Sequence, residues 1–154
     1  NLHLFLFFLL AINILENLEA KENNFLIKNA YIPIFSEYQD PLAGYFSIKN
    51  NTESDIIILS IETLLAEVSF HKSEIDENEI SRMFSVPFIE IPANTEFKLE
   101  PSFYHIMISN INKSFFNQKY VNITILTNNN NKIVIPFKLI HKNKKHEKMH
   151  EHKY

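Results

Sequence analysis

Tyr120-Val-Asn-Ile-Thr-Ile-Leu126, the loop residues Thr127 to Asn131, and Lys132-Ile-Val-Ile-Pro-Phe-Lys-Leu139 decide the fold class of this chain. Two short apolar segments flank the run Asn128-Asn129-Asn130-Asn131. Asparagine tolerates left-handed backbone and bonds its own turn, so the run reads as a hairpin loop between two strands. Working back towards the start, Phe25–Ile34, Gly44–Lys49, Asp55–Ile61, Leu65–His71, Ile80–Val86, Glu96–Leu99 and Tyr104–Ile108 repeat the theme. They follow one another at intervals of roughly eight to fifteen residues, with Asn50-Asn51-Thr52 as a further turn signal. No segment of this body holds a 3.6-residue apolar period for three turns. The expectation is an all-β fold, a sandwich or barrel with Greek-key or meander links.

A chain of 154 residues has room for one domain of ordinary size, and 45% hydrophobic residues are enough to give it a core without staples. The net charge of -3 is uneven: residues 1–140 hold 10 Lys/Arg against 16 Asp/Glu, whereas 141–154 hold five Lys against two Glu. An acidic body is a poor match for phosphate backbones, so no nucleic-acid partner is expected. Leu2 to Leu15 is almost continuously Leu, Phe and Ile, then Glu16 to Ala20 turns polar. That run is short for a membrane span and suits an export signal, with Ala20 before the cleavage point. The organisation expected is a leader over 1–20, a β domain over 21–140 and a His/Lys-rich tail over 141–154. Contact with the membrane would come only through an acceptor or an uncleaved leader, and a periplasmic monomer is expected.

Between Lys21 and Ile140 there are two histidines and two methionines, His71, Met83, His105 and Met107, and no cysteine. Their spacing is His-x11-Met-x21-His-x-Met. On a strand, His105 and Met107 face the same way because side chains alternate. His71 is expected to end one strand and Met83 to sit in the next, so a hairpin could bring them near each other and one tertiary approach by Tyr104–Ile108 would complete the set. Imidazole and thioether without thiolate suit Cu(I). Thioether sulfur does not titrate, so only the histidines compete with protons. Absent cysteine also excludes a blue-copper electron carrier.

The spacing and its flanks resemble the periplasmic copper chaperones of the PCu(A)C type (the DUF461 family). The similar blocks are Lys28-Asn-Ala-Tyr31, Ala43-Gly-Tyr-Phe-Ser-Ile-Lys-Asn50, Ser81-Arg-Met-Phe-Ser-Val86, Ile89-Glu-Ile-Pro-Ala93 and Leu99-Glu-Pro-Ser-Phe-Tyr-His-Ile-Met-Ile108, within residues 25–140. The resemblance implies a cupredoxin-like β-sandwich that binds Cu(I) through His71, Met83, His105 and Met107. It also implies delivery of copper towards the dinuclear copper centre of cytochrome c oxidase subunit II, directly or through a thiol copper chaperone. Two positions depart from the pattern: Lys72 replaces a methionine or acid, and Pro101-Ser102-Phe103 stands where Pro-Gly-Gly is usual.

Other readings stay open. The tail holds His141, His146, Met149, His150 and His152, a nitrogen-rich set that would favour Cu(II). The acidic stretch Glu74, Asp76, Glu77 and Glu79 reads as a solvated hairpin tip rather than a hard-cation site. With one glycine there is no phosphate loop, and no Ser/His/Asp or Cys/His set is evident, so an enzyme is not expected. Copper sequestration without handover, and a metal-free interaction domain, are the alternatives to a chaperone.

Overall fold

A computed structural model of the chain describes residues 24–36 and 39–142. The expected leader and the tail residues His146, Met149, His150 and His152 lie outside the described residues. Ten strands make up the described part: β1 Phe25–Ile34, β2 Leu42–Asn50, β3 Ile56–Glu62, β4 Glu67–Ile75, β5 Ser81–Val86, β6 Ile89–Ile91, β7 Glu96–Leu99, β8 Tyr104–Ser109, β9 Tyr120–Thr127 and β10 Lys132–His141. The helical segment among the described residues is a 3-10 turn at Lys113–Asn117. Among the described residues, no helix is long and apolar enough to cross a membrane. The all-β expectation is borne out.

The strands form one sheet in the order β5-β4-β8-β2-β1-β10-β9-β3-β6, with β7 also paired to β2, and the sheet curls into a nearly closed barrel. Alternation along the strands drives the closure. Ile32, Phe46, Ile48, Ile58, Ile106, Ile108, Ile123, Ile135 and Phe137 are all buried in one cluster. The β9–β10 hairpin closes as expected, with Asn130 left-handed at φ 60 and its N–H donating to the Thr127 carbonyl. Asn50 marks the other expected turn and is completely buried. Its Nδ2 donates to the carbonyls of Ser54, Ile91 and Pro92, while its Oδ1 accepts from the N–H and hydroxyl of Thr52.

Strand β2 turns the corner. Leu42–Gly44 pairs with β8, whereas Phe46–Lys49 pairs with β7. Gly44 lies opposite Ile106, where a Cβ would come within 2.6 Å of the Ile106 Cγ1 and 2.7 Å of its Cδ1. Glycine is therefore required here for the close approach of two strands. It lets Ile106 fill the core and sets the level of β8. Two features were not expected from the sequence. The parallel pairing of β1 with β10 joins the two ends of the body, and β6 is three residues confined between Pro87 and Pro92.

Candidate metal centre

The wall formed by β5, β4 and β8 carries the four residues singled out from the sequence. In the antiparallel β4–β8 pair, Phe70 opposes Ile106, Val68 opposes Ile108, and His71 opposes His105. Phe70, Ile106 and Ile108 point into the core. By alternation the odd-numbered residues of β4 and β8 share the other face, so Ser69, His71 and Ser73 lie with His105 and Met107. On β5, Met83 opposes Ser73 and Ser85 opposes His71, which puts Met83 on that face too. All four residues thus lie on one face of three neighbouring strands.

Their places on that face are unequal. His71 and His105 are a direct cross-strand pair with ring centroids 6.0 Å apart at an interplanar angle of 31°. Met107 is the next same-face residue after His105 and stands diagonal to His71 across Ser69. Met83 is diagonal to His71 on the opposite side, across Ser73. Serine is the direct cross-strand partner of both methionines, and its small side chain leaves room above the sheet for a long thioether to lean over. His71 lies in the middle of β4 and not at its end as expected, because Lys72–Ile75 go on pairing with Ser81–Phe84. The expected hairpin and the expected approach of Tyr104–Ile108 are both present.

Each histidine ring meets a neighbour two residues before it on its strand or at its edge. The Nδ1 of His105 is 3.2 Å from the Phe103 carbonyl, which can only accept, so in the neutral ring Nδ1 carries the proton and Nε2 the lone pair. The Nε2 of His71 is 3.0 Å from the Ser69 hydroxyl, and its Nδ1 is buried with no hydrogen-bond partner. A buried orphan nitrogen is uncommon and costly, and a site that later fills is one physical reason to keep it. Burial lowers the His71 pKa below the usual imidazole value, and the neighbouring His105 lowers it further. A ring that resists protonation stays available as a ligand. Imidazole nitrogens about 2 Å from a common first-row metal put the ring centroids within about 6.5 Å, so this pair can share one ion. Among the described residues no three His, Cys, Asp or Glu side chains gather into a metal-binding group. A site here must therefore draw on thioether sulfur, which is the donor the two methionines offer.

The surroundings account for the remaining expectations. The acidic stretch is a hairpin tip in which the carboxylates of Glu74 and Asp76 are engaged locally. Asp76 accepts from the N–H groups of Asn78 and Ile80 and pairs with Arg82, and Glu74 pairs with Lys72. Those bonds hold the Asp76 carboxyl below the usual carboxylate range. Ser102, where the resembled family has glycine, takes the left-handed φ of 69 that glycine favours. His141, expected in the tail, is the last residue of β10 and opposes Ile34. An open groove of about 630 Å³ lined by Glu62, Leu64, Leu65, Gln118, Tyr120 and Val134 contains none of the four residues. Sequence reasoning missed Ser69 and the Phe103 carbonyl as the partners that orient the two rings. The signal for Ser69 was its place two residues before His71 on a strand.

The family model described as lipoprotein LpqE-like matches residues 26–139. No curated protein gives a significant sequence match. Among solved structures, a copper-bound PCuAC domain from PmoF2 is similar at a TM-score of 0.62 with 13% identity, covering 77% of this chain and 94% of that one. An apo PCuAC domain from PmoF1 is similar at 0.61 with 9% identity, covering 77% and 95%. The solution structure of apo-DR1885 from Deinococcus radiodurans is similar at 0.59 with 18% identity, covering 80% and 83%. At these identities the likeness is one of fold, and in fold the expected PCu(A)C-type resemblance is borne out.

Proposed function

The chain belongs to the LpqE-like family, and on that premise we propose that it is an exported copper chaperone, with Cu(I) as its cargo. His71, Met83, His105 and Met107 would bind the ion. The observation that carries this reading is the direct opposition of His71 and His105 at 6.0 Å, with both methionines on the same face. Four neutral donors leave the ion at a charge of +1 and suit the soft d10 state over Cu(II). The PCuAC domain of PmoF2, similar in fold, is a copper-bound one. The site lies on the outer face of the barrel wall, a place from which an ion can be passed on.

Handover towards the dinuclear copper centre of cytochrome c oxidase subunit II, directly or through a thiol copper chaperone, is the destination we propose. His141 and the tail residues His146, Met149, His150 and His152 would collect Cu(II) separately. The test is an anaerobic Cu(I) titration of the full chain against a coloured competing chelator, beside the double variant His71→Ala/Met107→Ala. One tight equivalent present in the chain and missing from the variant is expected. Equal binding by the two would remove the site from the barrel wall.

A further inference from the structure

The four residues differ sharply in how they are held. His105 is 5% exposed, on a strand paired on both sides, and its Nδ1 is tied to the Phe103 carbonyl. His71 lies in the middle of β4, between β8 and β5, and its Nε2 meets Ser69. Met107 is half-buried beside His105, on a strand flanked by β4 and β2. Met83 alone is on β5, the last strand of the sheet, and is 56% exposed. Every residue of β5 before Val86 is exposed. Met83 also reaches His71 only along a diagonal, roughly 7–8 Å between Cα atoms, and stands on the opposite side of β4 from His105.

From this asymmetry, and resting on the copper-binding reading above, we infer that Met83 is the exchange ligand. It is the one donor that an incoming acceptor displaces first, while His71, His105 and Met107 hold the ion. The acceptor this fits is a protein presenting a soft sulfur donor, a cysteine thiol, on an apolar surface. Beside Met83 and on its face by the alternation of β4, Ile75 is 72% exposed, so an apolar approach is available at that end of the wall. In the step, the Cu–Sδ bond to Met83 breaks and a bond from copper to the acceptor sulfur forms. The acceptor thiol releases its proton to solvent, and copper stays in the +1 state throughout. The physical reason is that replacing one exposed neutral ligand leaves three bonds intact, whereas loss of His105 first would expose a buried ring and break its bond to Phe103. A strand with no neighbour beyond it among the described residues can also shift without breaking a second ladder there.

The test uses the full chain with methionine methyl groups labelled with carbon-13, giving signals for Met83, Met107 and Met149, assigned by single Met→Leu variants. Cu(I) is added to one equivalent without oxygen, then glutathione is titrated in as the thiol probe. The expected result is that both the Met83 and Met107 methyl signals move on adding copper. As thiol rises, Met83 returns to its metal-free position at a concentration at least several-fold below that needed for Met107. Simultaneous return of the two, or earlier return of Met107, overturns the exchange role while leaving the copper site standing. A Met83 signal that never responds to copper overturns it as well. If neither methyl responds, the copper-binding reading falls and this inference falls with it.

Discussion

His71 and His105 face each other across the β4–β8 ladder with 33 residues of chain between them, and each ring is oriented by a neighbour two residues before it, Ser69 and Phe103 respectively. The pair is pre-positioned by backbone pairing rather than by loop closure. A metal bound there would meet donors whose side-chain freedom is already reduced, which would lower the entropy lost on binding.

Met107 is the thioether nearest to His105, next on the same face of the same strand. Met107→Ala is expected to weaken Cu(I) affinity by more than about tenfold, or about 1.4 kcal/mol. The fold should survive, because the residue is on the face away from the core. Chelator competition measures the affinity and circular dichroism the fold; an unchanged affinity would sink the four-ligand assignment.

Acid should destabilise the metal-free protein partly through His71. Its folded-state pKa is lowered by burial and then by His105, so the unfolded ring takes up a proton that the folded ring resists. The stability associated with that difference is present above the ordinary value of about 6.5 and is lost as pH falls through it towards the lowered one. Urea midpoints measured at about pH 8 and about pH 5.5 should differ less in His71→Asn than in the unaltered chain. Equal losses in the two would remove His71 as a source of the pH dependence.

Gly44→Ala puts a Cβ within 2.6 Å of Ile106, a fully buried side chain in the packed core. Overpacking of this kind costs about 1–3 kcal/mol. Because Ile106 separates His105 from Met107, copper affinity should fall with stability. Adding Ile106→Val removes the Cδ1 atom and should recover part of both. A double variant no better than Gly44→Ala would mean that the 2.6 Å approach to Cγ1, which valine keeps, carries the strain.

Asn50 offers a contrast at the far side of the barrel. Asn50→Ala strips partners from Thr52 and from the carbonyls of Ser54, Ile91 and Pro92. The expected loss is about 1–3 kcal/mol, since the Ile91 bond is buried. Copper affinity measured well below the melting temperature should be unchanged. A parallel loss of affinity would show that the two ends of the barrel are coupled.

Ser102 is held left-handed, so Ser102→Val should destabilise by about 1–2 kcal/mol and Ser102→Gly should not destabilise by as much. Thermal unfolding of the two variants side by side reads the difference, and equal shifts would show that backbone strain at this position is not what matters.

Several of these features were legible in the chain itself. Alternation placed Ile106 and Ile108 on one face and His105 with Met107 on the other, because a strand has a period of two. The asparagine run marked its turn for the same local reason, and β1 and β7 begin and end where expected. The eleven residues between His71 and Met83 turn out to suit a hairpin that returns both to one face, given the register Ser73 to Met83. Strand β6 escaped because three residues between prolines carry too short a pattern to stand out.

What local pattern could not decide was register and neighbourhood. That β4 lies beside β8, with His71 opposite His105 and not shifted by one residue, follows from how Phe70, Ile106 and Ile108 pack in the core. A shift of one would turn those apolar side chains out to solvent, so burial selects the pairing. The sequence by itself determined which residues could be ligands and which way each would face along its own strand. Only the tertiary structure decided which of them meet, that the His71 Nδ1 is left without a partner, and that Met83 stands alone on an open edge. Those are properties of contacts between segments far apart in the chain, and no local preference encodes them.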